Sequence, residues 1–124
     1  MTLTGQDKLF CESLPTKPIP GIGKILLTGA SGYVGSHLVG ELLARGYRLR
    51  LMLRGNIEAH KKRWPDAEIV SADAFDPEQL KAALRGIEVA YYLIHSLNLG
   101  AKHFESADNR AALNFKNAAE ENQV

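Results

Sequence analysis

The chain has 124 residues, which bounds it at one domain with a single core, burying about two thirds of the surface that its unfolded form would expose. Charged residues make up 23% and the net charge is +1, so the charge balance points neither to nucleic acid nor to an anionic membrane. The longest apolar run, Val89 to Ile94, is far too short to span a bilayer, residues 1 to 20 lack the apolar centre of a secretory leader, and the lone Cys11 forms no internal disulfide and fits a reducing cytoplasm.

Residues 1 to 22 carry Pro15, Pro18 and Pro20 among glycines and show no sustained periodicity, so they are expected to form a flexible leader. A rival reading is an arm that packs on a partner through Leu9, Phe10 and Leu14. Lys24 to Thr28 is then a short apolar run of strand type, Gly29, Gly32 and Gly35 follow at intervals of three, and an amphipathic helix begins at Tyr33. Val34, Leu38, Leu42 and Leu43 form its apolar stripe, and Gly46 stands where a left-handed helix terminus wants glycine.

A strand, a glycine turn and a helix meeting within a few residues make a site for phosphate. Helix-terminal N–H groups lack partners inside the helix, and the positive end of the dipole points at the loop. Gly29 is expected to make the tight turn, Gly32 to let backbone approach a pyrophosphate, and Gly35 to let the helix lie against its strand. The spacing alone is weak, and the flanking strand and helix raise it to a dinucleotide-binding βαβ unit. A triphosphate loop fits poorly, because Gly35 is followed by Ser36 and His37 rather than by Lys and a hydroxyl residue.

Tyr47 to Leu53 alternates Leu49, Leu51 and Leu53 with Arg48 and Arg50 and reads as a second strand. Asn56 to Trp64 is weakly helical and ends at Pro65, and Glu68 to Ala72 is a brief third strand. Asp76 offers an N-cap with Pro77 at the first helical position, Leu80 and Leu84 supply the stripe, and Gly86 closes the helix. Glu88 to Ile94 is a fourth strand, expected to be buried on both faces. From Lys102 to Asn122, Phe104, Ala111, Phe115 and Ala118 recur at helical spacing. This order predicts an α/β fold, a partial doubly wound parallel sheet of about four strands in order 3-2-1-4 with helices on both faces.

TGASGYVG at 28–35, RG at 54–55, DAFD at 73–76, YYLIHS at 91–96 and DNRAALNFKNAA at 108–119 together resemble the N-terminal half of the extended or atypical short-chain dehydrogenase/reductases. NmrA-like and nucleoside-diphosphate-sugar epimerase-like proteins are the members it is most similar to. The resemblance implies that residues 23–124 are the N-terminal part of an NAD(P)-binding Rossmann domain. It also implies that Gly29, Ser31, Gly32, Tyr33, Val34 and Gly35 border the pyrophosphate of the cofactor. Arg54 falls where members preferring NAD carry an acidic residue, so NADP is expected over NAD; a solvated arginine at a strand end is the bland alternative. Lys61, Lys62 and Arg63 read as a wet helix face.

By the same resemblance Asp73 and Ala74 meet the adenine, although Asp73 at that position equally suits a turn. Ile94, His95 and Ser96 lie at the tip of the fourth strand, where the resemblance places the nicotinamide ribose. Asp108 and Asn109 match a polar position of the next helix and read more simply as exposed residues. His37, His60 and His103 show no metal-binding pattern.

The family's Tyr-x-x-x-Lys is not found: Tyr33, Tyr47, Tyr91 and Tyr92 have no lysine four residues on. The resemblance thus implies the cofactor-binding part of an oxidoreductase or epimerase-like enzyme without its catalytic half. The alternative is a non-catalytic, NmrA-like NAD(P) sensor. With the chain ending at Val124 the fourth strand would be an apolar edge, from which a homodimer is expected.

Overall fold

The computed structural model describes residues 21–94 and 101–124, with the side chains of residues 101–108 excepted. Expectations for the leader up to residue 20, Cys11, His95 and Ser96, and for the side chains of His103, Phe104 and Asp108, lie outside the described residues. The elements run β1 (Lys24–Thr28), α1 (Tyr33–Ala44), β2 (Leu49–Leu53), α2 (Ile57–Arg63), β3 (Glu68–Ser71), α3 (Pro77–Ala83), β4 (Ile87–Tyr91) and α4 (Ala101–Glu121). All strand pairs are parallel and the sheet order is β3-β2-β1-β4, as the sequence order predicts.

Strand periodicity divides the core into two layers. Ile25 and Leu27 of β1, with Leu49, Leu51 and Leu53 of β2, face Val39, Leu42 and Leu43 of α1 and the buried Trp64 that follows α2. Leu26 and Met52 point the other way, onto Leu80, Ala83 and Leu84 of the α3 region and Phe115 and Ala118 of α4. α1 closes on Gly46, whose φ of +90° meets the expected left-handed terminus. α2 has four basic residues in its last turn, so Lys61, Lys62 and Arg63 lie at the far end of that helix from Asn56.

α3 is punctuated as its sequence reads. One Asp76 carboxylate oxygen accepts from the amides of Glu78 and Gln79 at 3.1 and 3.3 Å, and Pro77 takes the first helical position. Asp76→Ala is expected to lower unfolding free energy by about 1 kcal/mol, the usual worth of such a cap, as read by urea denaturation. Asp76→Ser, which keeps an acceptor, is expected to lose much less.

β4 departs from expectation. Its ladder ends at Tyr91, and Val89 and Tyr91 are partly open to solvent rather than buried. Val89 and Tyr91 pair with Ile25 and Leu27, so they share the α1 face of the sheet. Among the described residues α1 packs on β1 and β2 there, while β4, the edge strand, keeps Val89 36% and Tyr91 37% exposed.

At the opposite end of the strands from α1's N-terminus, Arg50 ties three elements together. Its Nη1 donates to the carbonyls of Ala83 and Arg85 at 2.7 Å each, and its Nε lies 3.1 Å from a Glu68 carboxylate oxygen. Lys24 Nζ donates to the same oxygen at 2.8 Å. The hydrogen bond from Lys24, with Arg50 adding to it against a smaller cost of burial, holds the Glu68 carboxyl below its ordinary 4.5.

Candidate dinucleotide site

The corner between β1 and α1 is shaped by two close approaches. Gly29 has φ +75°, and a Cβ there would lie 2.7 Å from the carbonyl oxygen of Leu93, so the tip of β4 can cross directly over it. A Cβ on Gly35 would run into the Gly29 carbonyl, with Ala30 Cα at 3.0 Å. Gly35 therefore lets α1 close on the glycine loop itself, not only on its strand. Gly32 is different: a Cβ there would meet only the Gly29 oxygen, at an ordinary 3.5 Å, and the residue is exposed. The open space beside it lies outside the chain.

That space is a shallow depression lined by Gly29, Gly32, Tyr33, Val34 and Gly35 on one side and by Tyr92, Leu93 and Ile94 on the other. It sits at the carboxyl edge of β1, where crossovers leave the sheet in opposite directions, the position at which open parallel sheets bind ligands. The Gly32 amide is engaged, donating to the Gly29 carbonyl at 3.1 Å. Among the described residues no hydrogen bond takes up the amides of Tyr33, Val34 and Gly35, the first three of α1, and Gly32 as N-cap brings no side chain to them. Tyr33 and Val34 turn their side chains outward, 82% and 63% exposed, Tyr33 resting edge-on against His37. Among the described residues the amides are thus neither capped by a side chain nor plugged. Ser31 is exposed on the same loop.

Arg54 and Asp73, expected at the adenosine end, lie along the ends of β2 and β3. Arg54 follows β2 and is 74% exposed, presented by a turn in which Gly55 and Asn56 are both left-handed, at φ +63° and +46°. Its Nη2 comes to 3.9 Å of Asp73 Oδ2. The other carboxylate oxygen, Oδ1, accepts from the Phe75 amide at 2.9 Å, so the turn reading of Asp73 holds and leaves Oδ2 facing Arg54. Ala74 is buried below the loop. Asn109, the described one of the two polar residues at the start of the α4 motif, is exposed.

Three supporting residues were not singled out by sequence. Thr28, fully buried, donates from its hydroxyl to Tyr91 O at 3.1 Å and accepts from the Leu93 amide at 3.0 Å. It takes over where the β1–β4 ladder stops and holds the wall of the depression against Gly29. Gln79 accepts from the Asp73 amide at 2.9 Å, and Asn114 of α4 donates to Ala74 O at 3.2 Å, while Arg110 lies 4.9 Å above the Phe75 ring. Thr28 could have been found from its place in the TGASGYVG motif. Gln79 and Asn114 carry no local signal.

Comparison with known proteins gives the family and supports the fold. A family model described as NAD(P)H-binding matches residues 29–124. Noscapine synthase SDR1 of Papaver somniferum is 31% identical over 109 residues, covering 80% of this chain and 31% of that protein. A nucleoside-diphosphate-sugar epimerase of Staphylococcus aureus superposes with a TM-score of 0.69 at 23% identity, over 82% of this chain and 35% of the other. The Bordetella bronchiseptica enzyme WbmH, solved in complex with NAD+, gives 0.67 at 21% identity, over 83% and 37%. At these identities the two structures speak for the fold. The chain spans under a third of the length of the first curated relatives it matches.

Proposed function

The chain belongs to the NAD(P)H-binding family, and from that premise we propose that it forms the dinucleotide-binding portion of a short-chain dehydrogenase/reductase or sugar-nucleotide epimerase-like oxidoreductase. The observation that carries this reading is the β1–α1 corner. Its amides at Tyr33, Val34 and Gly35 have no partner among the described residues, and the loop leaves Gly32 bare beside them. These features fit a pyrophosphate, which offers acceptor oxygens and negative charge to a helix N-terminus.

In this reading Gly29, Ser31 and Gly32 shape the loop and Tyr33, Val34 and Gly35 donate main-chain hydrogen bonds. Arg54 pairs with a 2′-phosphate, which favours NADP over NAD. Asp73 and Ala74 border the adenine, and Ile94 lies toward the nicotinamide ribose. When bound, a nicotinamide dinucleotide supplies hydride transfer, and what these residues contribute is binding and orientation. The chain has one cysteine, which suits a cytoplasmic setting.

Calorimetric titration of the folded chain with NADPH and NADH tests the proposal, and saturable binding of at least one is the expected result. Saturation by neither removes the reading. Arg54→Ala is expected to weaken NADPH binding about three- to tenfold and NADH binding less than twofold, the scale of an exposed charge-assisted pair. An equal loss for both would remove the NADP preference.

A second reading is a non-catalytic NmrA-like NAD(P) sensor, in which cofactor occupancy alters a partner surface. Turnover of a carbonyl or carbinol substrate by the whole protein would decide for the enzyme. The outer edge of β4, with Val89 and Tyr91 exposed beside it, is the surface we assign to a homodimer. Sedimentation at micromolar concentration showing only a 13.6 kDa species would remove that assignment.

A further inference from the structure

The two residues assigned to opposite ends of the adenosine face each other directly, and this has a consequence for selectivity. Arg54 Nη2 and Asp73 Oδ2 are 3.9 Å apart, on side chains 74% and 39% exposed. Asp73 is not free to turn away, because its Oδ1 accepts from the Phe75 amide and its own amide donates to Gln79 Oε1, both at 2.9 Å. The loop that carries it is pinned in turn by Asn114, which donates to Ala74 O at 3.2 Å. A fixed carboxylate therefore stands beside the guanidinium.

We infer that Asp73 is a specificity-determining residue that restrains the preference for the 2′-phosphorylated cofactor. This rests on the assignment of Arg54 to the 2′-phosphate under the proposed function. A phosphate carrying nearly two negative charges that reaches Arg54 must displace Asp73 from the guanidinium or share it. A ribose hydroxyl meets no such cost and can donate to an acid. The positive charge that selects NADP is thus offset at its source, and the chain accepts both cofactors within about a tenfold range, the scale of exposed charge pairs.

The experiment compares 2′-phospho-ADP-ribose with ADP-ribose, titrated calorimetrically into the full chain, in wild type, Asp73→Asn, Arg54→Ala and the double variant. Asparagine keeps an oxygen for the Phe75 amide while removing the charge, and Asp73→Ser, with thermal melts alongside, serves if the asparagine variant folds poorly. Loss of an adenine contact would weaken both ligands alike and leave their ratio unmoved. The expected result is a threefold to tenfold rise in the preference for the phosphorylated ligand in Asp73→Asn, abolished when Arg54 is also alanine, and shrinking as salt is raised. An unchanged ratio, or a rise that survives in the Arg54→Ala background, overturns the inference while leaving nucleotide binding intact. No binding of either ligand by the folded wild type removes the nucleotide reading and this inference with it.

Discussion

Gly35→Ala is expected to weaken nucleotide binding about a hundredfold and to destabilise the fold as well. The added methyl would run into the carbonyl of Gly29, with Ala30 Cα at 3.0 Å, and both obstacles are backbone rather than the yielding end of a side chain. α1 must move off the loop, at a cost of about 1–3 kcal/mol for an overpacked contact. The same shift carries the amides of Tyr33, Val34 and Gly35 out of line. Losing two charge-assisted hydrogen bonds at about 1.5 kcal/mol each amounts to about a hundredfold in affinity.

Gly32→Ala separates the two effects. Gly32 has an ordinary φ of −78° and room for a Cβ, so stability is expected to change by less than about 0.5 kcal/mol. The new methyl nevertheless stands where a pyrophosphate must approach, so affinity falls. Urea denaturation and calorimetric titration of the two variants read both quantities. A Gly35→Ala variant as stable and as tight-binding as wild type would contradict the geometry described for this corner.

Arg50→Met is expected to cost about 3 kcal/mol of stability while leaving nucleotide affinity of the folded protein unchanged. The guanidinium serves the carbonyls of Ala83 and Arg85 at the end of α3, groups that a helix terminus leaves without internal partners. Hydrogen bonds from a charged donor contribute about 1.5–3 kcal/mol each, and methionine preserves the aliphatic stem without replacing either. For a domain of this size the loss corresponds to a fall of about 10 °C in Tm.

The variant also alters acid stability. Glu68 is held below its ordinary 4.5 chiefly by Lys24, with Arg50 contributing. A carboxyl lowered in the folded state adds stability above its unfolded pKa, and that stability is lost as pH falls through the folded value. The wild type is therefore expected to lose this increment below about pH 4.5, and Arg50→Met to show a shallower decline. Thermal melts across pH 3–7 measure it. A change in unfolding free energy under about 1 kcal/mol would show that Arg50 does not hold α3 to the sheet.

The sequence by itself determined the features whose causes are local. Gly29 at positive φ, the Asp76 and Pro77 start of α3, the left-handed close at Gly46 and the alternation that splits Ile25 and Leu27 from Leu26 depend on neighbours a few residues away. Short-range sterics, capping and side-chain period write such choices directly into the chain. The strand order followed too, because parallel strands joined by helices admit few right-handed connections.

Only the tertiary structure decided which distant groups meet. Arg50 reaches a carbonyl 33 residues away, Asn114 one 40 residues away, and the Leu93 amide finds the Thr28 hydroxyl across 65 residues. The open face of β4 and the approach of Asp73 to Arg54 belong to the same class. An arginine, an asparagine or an aspartate carries no mark in its own vicinity of the partner it will find. Its partner is fixed when the sheet assembles and the desolvated polar groups must be satisfied by whatever the fold has brought within reach.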